Sequence, residues 1–196
     1  MKELVVRWRA LDGSRLEMRP VPPLHPGDIE RVSAWLNALS PNTRRNRFFG
    51  TVSEFSGSAV HKLLTIDPSR EYLLVVLHDD GGQQGPIGGG RFVQDDDGRS
   101  ASFSLLLGDD WQGQGIGRRL LKALLREAAR RGLRQMHGDV LADNRAMLAL
   151  ARSLHFSVDE SPDDVGVLHI VCDLPRTRLS RWRRLTRHFL RQYSLP

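Results

Sequence analysis

Leu105-Leu106-Leu107-Gly108-Asp109-Asp110-Trp111-Gln112-Gly113-Gln114-Gly115-Ile116-Gly117-Arg118-Arg119-Leu120-Leu121 decides the fold. It holds a strand, a glycine-rich turn and the opening of a helix. Ile116, Leu120, Leu121, Leu124, Leu125 and Ala128 recur at helical spacing, and Gly132 after Arg130-Arg131 marks the helix end. The helix therefore starts inside the glycines. There the unpaired N–H groups of its first turn and the positive end of its dipole face whatever lies above the loop, which suits a phosphate.

Spacing separates the nucleotide motifs that use such a turn. A Walker loop ends in Gly-Lys-Ser/Thr, whereas Gly117 is followed by Arg118-Arg119. A dinucleotide fingerprint needs Gly-x-Gly-x-x-Gly, but Arg118 stands at its third position. The pattern that remains, Gln112-x-x-Gly115-x-Gly117, resembles the pyrophosphate loop of the GNAT superfamily of N-acetyltransferases. The likeness continues downstream, where Val140 to Phe156 looks like the family's next strand and helix: Asn144 opens the helix, and His155 replaces the glycine of a closing Leu-Gly-Phe. Upstream, Arg19-Pro20, Pro26-Gly27-Asp28, Leu39-Ser40-Pro41 and Arg45-Asn46-Arg47-Phe48-Phe49-Gly50 are similar to the bacterial protein lysine acetyltransferase branch. The match runs from about Leu16 to Leu174.

The resemblance implies a single α/β (α+β) domain over residues 1–175, with a mixed central sheet flanked by helices. It implies acetyl-CoA as acyl donor and an amine as acceptor, a protein lysine among the candidates. The pantetheine arm would lie between the strand ending at Leu107 and the strand ending near Leu141, with main-chain groups of Leu105 and Leu107 meeting it. The Leu105 N–H would stabilise the oxyanion. Gln112, Gly113, Gln114, Gly115, Ile116, Gly117 and Arg118 would hold the diphosphate, and Asn144 would line the cofactor side.

Two departures bear on catalysis. An amine of pKa about 10.4 is only about one part in a thousand neutral at pH 7.4, a handicap of roughly 4 kcal/mol that a general base reduces. The glutamate that serves as base in the related lysine acetyltransferases is matched here by Ala101-Ser102, and the tyrosine that protonates the leaving thiolate falls near Ala151. Glu54, Asp109, Asp110 and His137 lie near cleft elements in sequence, yet none is assigned as the base. The rival reading is a catalytically impaired acyl-CoA-binding sensor or scaffold.

Around this core the chain reads as a hairpin (Leu4–Ala10 and Arg15–Arg19 about Asp12-Gly13) and a helix capped by Asp28 and broken at Ser40-Pro41-Asn42. A basic stretch at Arg44–Phe49 and a helix around Ala59–Leu64 follow. Strands are expected over Glu71–Leu77, Ile87–Gln94, Ala101–Leu107, Gln135–Leu141 and Val165–Leu174.

The 196 residues, 40% hydrophobic and 27% charged, suit one domain, and no run nears the roughly 20 apolar residues of a membrane span. The N-terminus has no signal-peptide pattern, so a cytoplasmic location is expected. Cys172 alone excludes an internal disulfide and is read as a small buried side chain, and the seven histidines show no metal-ligand spacing. Seven of the 29 basic residues, all arginines, lie in residues 176–196 without an acid, leaving 22 against all 23 acidic ones. The net charge of +6 thus belongs to this segment, which reads as a basic amphipathic C-terminal helix. Docking of its apolar face on the domain or on a second copy, a homodimer, is preferred over a membrane-surface or nucleic-acid role.

Overall fold

The computed structural model describes residues 5–25, 27–50, 52–80, 83–161 and 164–175. The basic C-terminal helix and the homodimer built on it lie outside them. The strands are β1 (Val6–Arg9), β2 (Arg15–Pro20), β3 (Glu71–Asp80), β4 (Gln83–Gln94), β5 (Ser100–Leu107), β6 (Gln135–Leu141), β7 (Ser157–Glu160) and β8 (Val167–Asp173). The helices are α1 (Asp28–Ala38), α2 (Pro41–Phe48), α3 (Gly57–Leu64), α4 (Ile116–Arg131) and α5 (Arg145–Ser153). One mixed sheet runs β1-β2-β3-β4-β5-β6-β8-β7, antiparallel at every seam except β5–β6. Among the described residues no helix is long and apolar enough to cross a membrane.

Strand alternation sorts side chains between two layers. Leu74, Val76, Phe92, Ala101, Met136 and Ile170 face α4 and α5 and meet Ile116, Leu120, Leu121 and Leu124 in the main core. Burying such aliphatic side chains contributes about 1.5–3 kcal/mol each. On the opposite face, α1 and α3 close a smaller core of Leu36, Leu39, Phe55 and Val60, reached by Leu106 of β5. Cys172 is buried, and burial followed by the Asp173 charge pushes its thiol above the ordinary range.

Three local expectations are corrected. Ser40-Pro41 starts α2: the Ser40 hydroxyl accepts from the Thr43 N–H and Pro41 takes the first helical position, where its missing N–H costs nothing. Gly27, at φ 86°, rather than Asp28, occupies the N-cap of α1, while Asp28 accepts from the His25 N–H at 2.6 Å. The edge strand β7 forms on β8 where no strand is expected. The Gly13 turn (φ 89°) and the Gly132 stop (φ 86°) are as read.

Candidate functional site

The parallel seam is the origin of the site. β5 and β6 pair only at Ser100–Ser102 with Gln135–His137, and the two strands separate beyond that. The Gly108 N–H donates to the Ile87 carbonyl and the Asp95 N–H to the Ser100 carbonyl, so even-numbered residues of β5 bond β4. The main-chain groups of Leu105 and Leu107 therefore face the opening toward β6. Gln112 Nε2 donates to the Leu107 carbonyl at 3.2 Å, tying the loop to the strand end.

A cavity of about 650 Å³ fills this opening. Leu105, Leu107, Gln112, Gly113, Gly115, Gly117, Arg118 and Asn144 all line it. Gly113 (φ 73°) and Gly115 (φ 77°) adopt left-handed backbone with no atom within 4 Å of a Cβ placed there, so the loop presents bare backbone. Gly115 caps α4 without a side-chain acceptor, and the first helical bond is Arg119 N–H to the Gly115 carbonyl. The N–H groups of Ile116, Gly117 and Arg118 remain free for an anion. Asn144 caps α5 through the Met147 N–H, 3.1 Å from its Oδ1.

The remaining assignments divide. The Ile116 side chain is buried in the core, leaving only its backbone for the loop. Gln114 turns from the cavity and donates to the Asp110 carbonyl at 2.9 Å. Arg118 is held over the cavity by the Ser153 hydroxyl at 2.6 Å, whereas Arg119 lies over the Trp8 ring. Asp109 is a clamp: its carboxylate accepts from the Ser40 N–H (2.9 Å), the Ser40 hydroxyl (2.6 Å) and the Thr43 hydroxyl (2.7 Å). Burial alone would raise its pKa, but these bonds outweigh burial and hold the carboxyl below its ordinary value.

His137 stands in the cavity wall on the rung of Ser102. Their neighbours Ala101 and Met136 are fully buried against α4, so alternation turns Ser102 and His137 to the α1–α3 face together. His137 Nε2 lies 2.8 Å from Asp95 Oδ2, and the Ser100 hydroxyl donates to the same oxygen. A carboxylate only accepts, so the hydrogen bond is donated by Nε2. A second pair, His169 Nδ1 and Asp139 Oδ1 at 2.8 Å, lies beside it with the two imidazoles 5.3 Å apart. Sequence reading passed over the dyad because Asp95 is 42 positions from His137 and looks like part of a turn. Ala151, the position matched to the tyrosine, is fully buried and offers the cavity no hydroxyl.

A family model described as Acetyltransferase (GNAT) family matches residues 31–156. The acetyltransferase PA5475 of Pseudomonas aeruginosa is 33% identical over 159 residues, covering 81% of this chain and 84% of that protein. Acetyltransferase Pat of Mycolicibacterium smegmatis is 30% identical over 155 residues, covering 78% of this chain, which spans only 45% of that protein. The crystal structure of the GNAT domain of S. lividans PAT superposes with a TM-score of 0.73 at 23% identity, covering 87% of this chain and 97% of that one.

Proposed function

The chain belongs to the GNAT acetyltransferase family, and from that premise we propose that it transfers an acetyl group from acetyl-CoA to a primary amine, a protein lysine being the acceptor class implied by the resemblance of Arg45–Gly50 and its neighbouring motifs to the lysine acetyltransferase branch. The observation that carries the proposal is the opening between β5 and β6, where the main chains of Leu105 and Leu107 face a cavity that runs to the bare backbone of Gly113–Gly117. When bound, acetyl-CoA supplies an acyl group activated as a thioester.

The chain's own groups then have distinct tasks. The backbone of Leu105 and Leu107 orients the donor by strand-like pairing, and the Leu105 N–H opposes negative charge developing on the carbonyl oxygen. The loop N–H groups, the α4 N-terminus and Arg118 hold the diphosphate. One carbon–nitrogen bond forms and one carbon–sulfur bond breaks, so a proton must leave the amine. His137 takes it on Nδ1, directly or through water, while Asp95 fixes the ring and stabilises its charged form. On this reading the dyad does the work of the glutamate that Ser102 replaces.

Thiol release from acetyl-CoA with a panel of primary amines tests the proposal. Turnover in the wild type that falls about 100- to 10,000-fold in His137→Gln, with acetyl-CoA binding unchanged, is the expected result. Binding without turnover across the panel favours instead the acyl-CoA-binding module, to which the losses at Ser102 and Ala151 point.

A further inference from the structure

The roles given above leave one wall of the cavity unexplained. Arg47, in the last turn of α2, lines both the 650 Å³ cavity and a smaller one of about 110 Å³ beneath α1 and α3. Its guanidinium makes no hydrogen bond or ion pair among the described residues, and lies 4.9 Å from the Phe48 ring centroid. Four carboxylates near this face are already engaged: Glu71 by Arg91 at 2.5 Å, Asp95 by His137 and Ser100, Asp139 by His169, and Asp109 by Ser40 and Thr43. Burial pushes the Arg47 guanidinium below its ordinary range, and the like charge of Arg91 pushes the same way. A half-buried cation without a counter-charge gains from a ligand that brings the anion.

The position of Arg47 says which part of a ligand the anion belongs to. In the smaller cavity Arg47 shares the lining with Ser104 and Leu106 of β5, and no residue of Gln112–Arg118 lines that cavity. Ser104 and Leu106 flank Leu105, the residue placed at the transferring carbonyl, so on this side Arg47 reaches the reacting end of the site. A guanidinium there suits a carboxylate, whose two oxygens match its fork of N–H donors.

Resting on the acyl-CoA reading above, we propose that Arg47 binds a substrate carboxylate beside the transferring carbonyl. The carboxylate is either the far end of a dicarboxylic acyl group carried on CoA or a carboxylate of the amine acceptor.

The test uses the full chain, Arg47→Met and Arg47→Lys. Calorimetry with acetyl-CoA and succinyl-CoA reads the first source; transfer to lysine peptides carrying a neighbouring Glu or Gln reads the second. Acetyl-CoA should bind all three proteins within about twofold. Either succinyl-CoA loses about 10- to 100-fold in affinity in Arg47→Met, or the Glu peptide's KM rises by a similar factor while the Gln peptide's does not. Arg47→Lys restores part of either loss. The unliganded Arg47→Met protein should melt close to wild type, since Arg47 makes no hydrogen bond or ion pair among the described residues to lose. Equal handling of both carboxylate probes by wild type and Arg47→Met overturns the inference, as does a lower melting temperature with uniform loss of every ligand. Failure of the wild type to bind any CoA thioester is the distinct failure of the acetyltransferase reading itself, and the inference falls with it.

Discussion

His155 sits at φ 64° immediately after the C-cap of α5, where a side chain crowds the backbone and glycine does not. It is the position at which the resemblance expects glycine. His155→Gly is therefore expected to stabilise the protein by about 0.5–1 kcal/mol, read as a rise in the urea midpoint at unchanged slope, and a lower midpoint would contradict this. At His137 the expectation concerns chemistry: if its ring takes the amine proton, His137→Gln lowers kcat while acetyl-CoA affinity is unchanged. Substituting Ser102→Glu in the His137→Gln background returns a carboxylate to the same rung and should recover part of kcat. Residue-level reading of the sequence located the missing glutamate but not its replacement. A hydrogen-bonded pair drawn from a turn and a strand 42 positions apart has no spacing signal.

Among the elements, β4 shows most directly how packing shapes the site. Its Gly88-Gly89-Gly90 run lies against Leu107, Leu106 and Leu105 of the antiparallel neighbour, beside a register shift opposite Val76 and Leu77. A Cβ at Gly88 would overlap Leu107 Cδ2 and stand 2.8 Å from the Leu106 carbonyl oxygen, an atom of the backbone that cannot swing aside. Gly88→Ala should therefore cost about 1–3 kcal/mol and, because Leu107 lines the cavity, weaken acetyl-CoA binding as well. Chemical denaturation and calorimetry on the same preparation check both effects. The strongly patterned elements β3, β5 and α4 were legible because hydrophobic pattern and turn signals agree, and α5 through the resemblance that runs from Val140 to Phe156. The helix α2 was not: its one buried residue is Thr43, and its start signal, Ser40-Pro41, also serves as a break.

At the scale of the molecule, a single parallel seam in an otherwise antiparallel sheet creates the opening, and Asp109 binds the loop after β5 to the start of α2. Because hydrogen bonds hold the Asp109 carboxyl below its ordinary 3.8, its contribution is fully present above that value and is lost as pH falls through the lower folded-state value. Asp109→Asn should thus lower stability at neutral pH by about 1 kcal/mol and narrow its gap to wild type below pH 3.8, followed by urea unfolding across that range. The phosphate loop was legible from the spacing of Gln112, Gly115 and Gly117, and the two strands that separate were implied by the family resemblance which that spacing and Asn144 carry. How far those strands part depends on long-range register, and the charge left open at Arg47 depends on which carboxylates other side chains have taken.

The central claim is that this opening holds acetyl-CoA with its diphosphate on the bare backbone at Gly115. Calorimetric titration of acetyl-CoA into wild type and Gly115→Glu, with circular dichroism confirming that both are folded, tests it most directly. Binding in the wild type and none in the variant is the predicted result. No binding to the wild type, or equal binding to both, would contradict it.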